Sequence, residues 1–107
     1  MNYQIAIIGA REAIEGFSLL GVETVPATTT EEAVEKIKEM KRGEELYAII
    51  FVTEDLAQAF SPEDEKYFAK DPLPAIIPLP SHLGPSEYST LRLRRIVERA
   101  VGSDILK

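Results

Sequence analysis

The acids best placed for chemistry in this chain are Glu54 and Asp55, which follow its strongest strand-like run, Tyr47–Val52. In open α/β sheets ligands bind at the carboxyl ends of strands, where an aspartate could accept a phosphoryl group. A phosphoacceptor site would also need an acidic pair after the first strand and a lysine after a later one. Here the first strand ends at Gly9 and the last at Leu79, with neither feature. Because acids are favoured in the first turn of any helix, we interpret Glu54 and Asp55 as a charged helix start.

The single histidine, His82, is the second group with chemical potential. It lies in a proline-flanked loop, where an imidazole could carry a phosphoryl group or act as a general base. No second titratable group is tied to it by spacing, and we interpret it as a solvated loop residue. The turn after Gly9 lacks the glycine spacing of a nucleotide-binding or phosphate-binding loop. The sequence therefore predicts no catalytic residue, no cofactor and no metal.

Length and composition narrow the class of protein further. The 107 residues suit one domain, residues 1–107. With 12 basic and 18 acidic residues, the net charge of −6 argues against a nucleic-acid partner, which requires a basic face. The absence of cysteine excludes disulfides and thiolate chemistry. The opening residues do not resemble a signal peptide, and the apolar runs are too short to span a membrane, so we expect a soluble protein without membrane insertion.

Strand-like and helix-like segments alternate about four times along residues 1–80. The predicted strands are Ile5–Ile8, Val22–Val25, Tyr47–Val52 and Ala75–Leu79, and the first and third are continuously apolar, as in strands buried on both faces. Helices are predicted over residues 11–20 and 30–42, after Thr53 and after Ser61. Because parallel strands need crossover connections, the pattern predicts an open parallel α/β sheet with helices on both faces.

Two helix starts carry strong local signals. Thr29 and Glu32 form a capping-box pattern, and Ser61 precedes a proline at the tolerated first helical position. Thr53 is also predicted to cap a short helix, one that carries Leu56, Ala57 and Phe60.

Two element ends carry signals as well. Gly21 is predicted to end the first helix, because glycine is favoured just past a helix C-terminus. Pro78 cannot donate to a strand ladder, so the last strand should lie at an edge or end there.

The C-terminal part, residues 86–107, is predicted to be an amphipathic helix and the candidate partner-binding element. Its apolar stripe follows the i, i+3, i+4, i+7, i+8 spacing of one helical face and consists of Leu93, Ile96, Val97, Ala100 and Val101. A cluster of arginines, which are favoured at protein interfaces, accompanies the stripe: Arg92, Arg94, Arg95 and Arg99. Most amphipathic helices in small domains cover their own sheet, so this second interpretation stays open.

Four segments together resemble the F subunit of V/A-type rotary ATPases. They are Ile5–Gly9 with the following Gly16–Val22, the middle segment Ile49–Glu54, the run Pro74–Ser81, and the ending Val97–Leu106. The resemblance spans the whole chain, and the segments occur in the same order and at matching spacing. One departure is Ala10, where many members of the family carry an acid after the glycine.

The resemblance implies a small Rossmann-like domain on the central stalk of the rotary ATPase. There it would bind the D subunit, a long coiled coil that turns inside the ring of catalytic A and B subunits, and it would strengthen the rotor without being catalytic. The C-terminal helix would lie along the D subunit, with the apolar stripe and the arginines as its contacts. Such a protein would be cytoplasmic and peripheral to the membrane, and would couple ATP hydrolysis or synthesis to proton or sodium transport.

Two other classes stay open at this point. The first is a small phosphoryl-transfer or signalling domain that uses the strand-end loops, with Asp55 or His82 as the acceptor. The second is a stand-alone domain whose last helix completes its own core.

Overall fold

The computed structural model describes residues 3–80, which form a four-stranded parallel sheet in the order β2-β1-β3-β4. The central strands are β1 (Tyr3–Gly9) and β3 (Leu46–Thr53), and the edge strands are β2 (Glu23–Pro26) and β4 (Ala75–Leu79). The predicted α/β class and the four parallel strands are thereby confirmed. The helix predicted over residues 86–107 lies outside the described residues, so the division of the domain after residue 80 stays a prediction.

The central strands are apolar without alternation because both faces of the sheet are covered. Their register pairs Ile8 with Val52, and β3 in turn pairs Ile50 with Ile76 of β4. Five helical segments connect the strands: α1 (Arg11–Ile14), a 3-10 helix (Glu15–Leu20), α2 (Thr30–Arg42), α3 (Glu54–Ala57) and α4 (Pro62–Ala69).

The core is divided into two layers by the sheet. On one face, Ile37 of α2, Leu56 of α3 and Phe68 of α4 pack with strand residues such as Ile8 and Ile50. On the other face, Ile14 of α1 and Phe17 of the 3-10 helix pack with Ile7 and Phe51. The helices therefore lie on both faces, as the crossover argument predicts.

The predicted helix over residues 11–20 is interrupted. A four-residue α-helix gives way to the 3-10 helix at Glu15, next to Gly16, whose missing side chain weakens helical structure. Gly21 ends the segment in the left-handed region at φ 79°, as predicted from its type.

The predicted capping box at Thr29 and the predicted helix start at Ser61 are both present, and the structure shows a second capping box at Ser61. The Thr29 hydroxyl accepts from the Glu32 amide at 3.1 Å, and the Glu32 carboxylate accepts from the Thr29 amide at 3.2 Å. Ser61 and Asp64 repeat the arrangement at the start of α4, with Pro62 at its first position.

The predicted cap at Thr53 is wrong in one respect. Thr53 does precede α3, but its side chain makes no capping hydrogen bond, because it turns towards Gly9 and the sheet instead. The short helix also ends at Ala57, so Phe60 lies beyond it.

Pro78 lies in β4 opposite Val52 at the edge of the sheet, as predicted. Across residues 3–80, the structure contains no helix with the length and apolar character to cross a membrane.

Candidate functional site

The carboxyl ends of β1 and β3 meet at Gly9 and Thr53, where the strand order reverses and where an open α/β sheet binds its ligands. The Thr53 side chain, 3% exposed, fills this crevice: a Cβ added to Gly9 would collide with the Thr53 methyl group and with Ile14. The Thr53 hydroxyl is buried and has no hydrogen-bond partner among residues 3–80.

The candidate phosphoacceptors Glu54 and Asp55 begin α3 beside this crevice, and both are exposed. Within the part of the chain that the structure describes, no three acids or histidines come together as metal ligands. The geometry of these two acids is that of an ordinary acidic helix start.

The residues predicted to bind a partner cannot be placed. His82 and the whole C-terminal set lie outside the described residues, namely Arg92, Leu93, Arg94, Arg95, Ile96, Val97, Arg99, Ala100 and Val101. Their assignment stays a prediction.

An apolar groove runs along the β4 edge, between that strand and α4, and we call it the β4 groove. It has a volume of about 380 Å³ and is lined by Phe60, Phe68, Ile76 and Pro78, with the acidic residues Glu65 and Asp71 also in its lining. The rings of Phe60 and Phe68 meet edge to face at 5.0 Å between their centroids. The edge is thus apolar with acidic groups beside it.

A second surface lies at the end of the sheet where the strands begin, opposite the end that holds Gly9 and Thr53. Leu46, the first residue of β3, is 44% exposed, and Leu73, just before β4, is 45% exposed. Both line a groove of about 350 Å³ together with Tyr3 and Met40. We call this groove with its two leucines the amino-end groove.

Three lysines surround the ring of Tyr67 next to this groove. The Lys41 ammonium lies 4.6 Å from the ring centroid, and those of Lys38 and Lys70 lie 5.5 Å from it. The Lys41 side chain is 8% exposed; it donates to the Tyr67 carbonyl at 3.1 Å and pairs with Asp71 at 3.5 Å. We call Lys38, Lys41 and Lys70 around Tyr67 the lysine cluster.

Sequence reasoning missed both the amino-end groove and the lysine cluster. Half of the cluster is visible locally, since Lys38 and Lys41 are three apart on α2, as are Tyr67 and Lys70 around the end of α4. Nothing local indicates that the two pairs meet, because that depends on where α4 lies relative to α2.

The fold defines the class of protein first. A crystal structure of the V-type ATP synthase F subunit from Archaeoglobus fulgidus superposes with a TM-score of 0.61, covering 74% of this chain and 99% of that one. At 15% identity this likeness shows a shared α/β fold alone.

Sequence comparison then gives the family. A family model described as ATP synthase (F/14-kDa) subunit matches residues 5–97. The V-type ATP synthase F subunit of Clostridium botulinum strain Eklund 17B is 34% identical over 106 residues, which is 99% of this chain and 100% of that one. The A-type ATP synthase F subunit of Methanothermobacter thermautotrophicus is 35% identical over 108 residues, and the alignment covers 100% of this chain and 100% of that one. The chain belongs to the F-subunit family of V/A-type ATP synthases, and the resemblance seen in the sequence is confirmed.

Proposed function

We propose that this chain is a non-catalytic central-stalk subunit that binds the D subunit and couples ATP hydrolysis or synthesis to ion transport. The observation that carries the proposal is the end-to-end match to relatives named as the F subunits of V-type and A-type ATP synthases. As a stalk component it would lie inside the ring of A and B subunits, in the cytoplasm and peripheral to the membrane. No cofactor is proposed.

The contact with the D subunit is proposed to lie in residues 86–107. The apolar stripe there would pack against the D subunit, and the arginines would pair with charges that set the position of the segment along it. The acidic lining of the β4 groove, Glu65 and Asp71, offers the same stripe and arginines an alternative site within the chain itself. The two placements compete for one face of the segment, and a binding measurement separates them.

The direct test mixes the purified chain with the D subunit of its own complex and measures the mass of the product by size exclusion with light scattering. We expect a stable one-to-one complex. Two folded proteins that elute separately at micromolar concentration would contradict the proposal.

Two matched substitutions place the contact. Ile96→Asp puts a carboxylate into the predicted stripe, and we expect at least roughly a tenfold loss of affinity for the D subunit, because the interface would have to bury an unpaired charge. Leu91→Asp makes a similar change away from the stripe on the same predicted helix, and it should leave the affinity nearly unchanged. Equal affinities for both variants, with circular dichroism showing intact folds, would remove the stripe from the interface.

A further inference from the structure

Leu46 and Leu73 are two of the three large hydrophobic residues that are exposed among residues 3–80, and both line the amino-end groove. Leu46 begins β3, and Leu73 precedes β4. Because all four strands are parallel, their amino ends lie along the same end of the domain. Scattered exposed leucines are ordinary, but two that share one groove form a patch.

The lysine cluster continues this patch. Lys41 and Asp71 line the amino-end groove, and the Lys41 ammonium lies over the same ring as Lys38 and Lys70. All three ammonium groups therefore lie within roughly one Debye length of each other, about 10 Å at 0.1 M salt, where like charges repel. The largely buried side chain of Lys41 thus connects the amino-end groove with Lys38 and Lys70.

Two carboxylates, Glu45 and Asp71, line the amino-end groove. Asp71 pairs with Lys41, and Glu45 accepts a long hydrogen bond of 3.4 Å from the Tyr47 hydroxyl. Lys38 and Lys70 form no ion pair with any of residues 3–80. Within residues 3–80, these two ammonium groups therefore have no carboxylate partner.

We infer that the amino-end groove and the lysine cluster together bind an acidic, apolar-faced segment of another component of the ATPase complex. Charge selects the occupant: the chain as a whole carries −6, but three ammonium groups converge on the Tyr67 ring, so an acidic segment is attracted there. The leucines select an apolar face on the same partner, which a free anion lacks. This contact is separate from the one proposed for residues 86–107 and rests only on membership of the complex.

The test measures binding of the full chain to an ATPase complex of its own organism from which this component has been removed. Lys38→Glu/Lys70→Glu reverses the two free ammonium groups, and we expect at least roughly tenfold weaker binding with a shallower salt dependence. The matched control is Lys36→Glu/Lys66→Glu, which makes the same charge change at lysines of α2 and α4 that are not among those over the Tyr67 ring. Lys38→Gln/Lys70→Gln, a milder pair that removes the two charges without reversing them, should give a smaller loss in the same direction. Equal losses for the cluster and control pairs would overturn the inference.

A second arm tests the apolar part and separates the two proposals. Leu46→Ser/Leu73→Ser should weaken binding to the depleted complex while improving solubility, and unchanged binding would overturn the role of the groove. Neither Lys38→Glu/Lys70→Glu nor Leu46→Ser/Leu73→Ser should alter affinity for the isolated D subunit. A similar loss of affinity for the D subunit would overturn the claim of a separate contact. The wild-type chain could fail to bind the D subunit while Lys38→Glu/Lys70→Glu still weakens binding to the depleted complex. In that case the proposed function fails and this inference stands.

Discussion

Thr53 occupies the space beside Gly9 that any larger residue at position 9 would need. The two residues end the central strands β1 and β3, and the Thr53 methyl and hydroxyl groups both lie where a Cβ on Gly9 would come. The end of the sheet that holds ligands in many α/β domains is here filled by the side chain of the chain itself.

Gly9→Ala should therefore destabilise the domain by about 1–3 kcal/mol, the usual cost of overpacking a core. The new methyl group would press on Thr53 and on Ile14. Chemical denaturation measures the change in the free energy of unfolding.

The control for this variant is Gly43→Ala, since a Cβ at Gly43 meets its nearest atom at an ordinary 3.4 Å. We expect that change to be neutral or slightly stabilising. In a Thr53→Ala background, Gly9→Ala should lower the free energy of unfolding by less than it does in the wild type. If the effects of the two substitutions on the free energy of unfolding were simply additive, the contact between Gly9 and Thr53 would be refuted.

Thr53→Val should stabilise the protein by about 1 kcal/mol, because it replaces a buried hydroxyl that lacks a partner among residues 3–80 with a methyl group of similar shape. Thermal unfolding followed by calorimetry would show a higher midpoint. A lower midpoint would mean that the hydroxyl is hydrogen-bonded in solution.

Glu32→Gln should destabilise the protein near neutral pH and much less in acid. Hydrogen bonds from the Thr28 hydroxyl and amide, and then from Thr29, lower the pKa of the Glu32 carboxyl below its ordinary value. A lowered folded pKa means that the carboxylate stabilises the fold above its unfolded pKa, about 4.3, and that this is lost as the pH falls through the folded pKa. Urea titrations at neutral and at acidic pH measure the difference in free energy of unfolding between the wild type and Glu32→Gln. The same difference at both pH values would contradict the link between Glu32 ionisation and stability.

Tyr47→Phe should make the free energy of unfolding fall less steeply as the pH rises above about 10. Burial, and then the hydrogen bond of 2.9 Å to the Glu23 carboxylate, raise the pKa of the Tyr47 hydroxyl. A raised folded pKa gives stability that is complete below the unfolded pKa, about 10, and is lost as the pH rises through the folded pKa. At neutral pH the variant should lose about 0.5–1.5 kcal/mol from the missing hydrogen bond. Parallel alkaline limbs for wild type and variant would refute this assignment.

The elements with local signals are predictable from the sequence. The strands at Ile5–Ile8 and Tyr47–Val52 follow from uninterrupted apolar runs, and the caps at Thr29 and Ser61 follow from side chains that bond within one helical turn. Such features depend on neighbours in the chain, so one sequence is enough to find them.

The features that depend on distant neighbours are not predictable in this way. Thr53 has the residue type of an N-cap, but burial next to Gly9 decides where its side chain points. The convergence of Lys38 and Lys70 on Tyr67 likewise requires α2 and α4 to meet, and no local pattern contains that information. The candidate contacts with the D subunit, from Arg92 to Val101, stay predictions.

The strand order has a consequence for how this chain is made. β1 is synthesised first, yet it lies between β2 and β3, so its apolar run has no complete set of neighbours until Thr53 has left the ribosome. At about 5–20 residues per second, the nascent chain carries an unpaired, aggregation-prone segment for seconds. Every pairing in the sheet joins residues that are far apart in sequence, since parallel strands allow no hairpin. During synthesis the β1 segment is therefore the part of the sheet that waits longest for its second neighbouring strand.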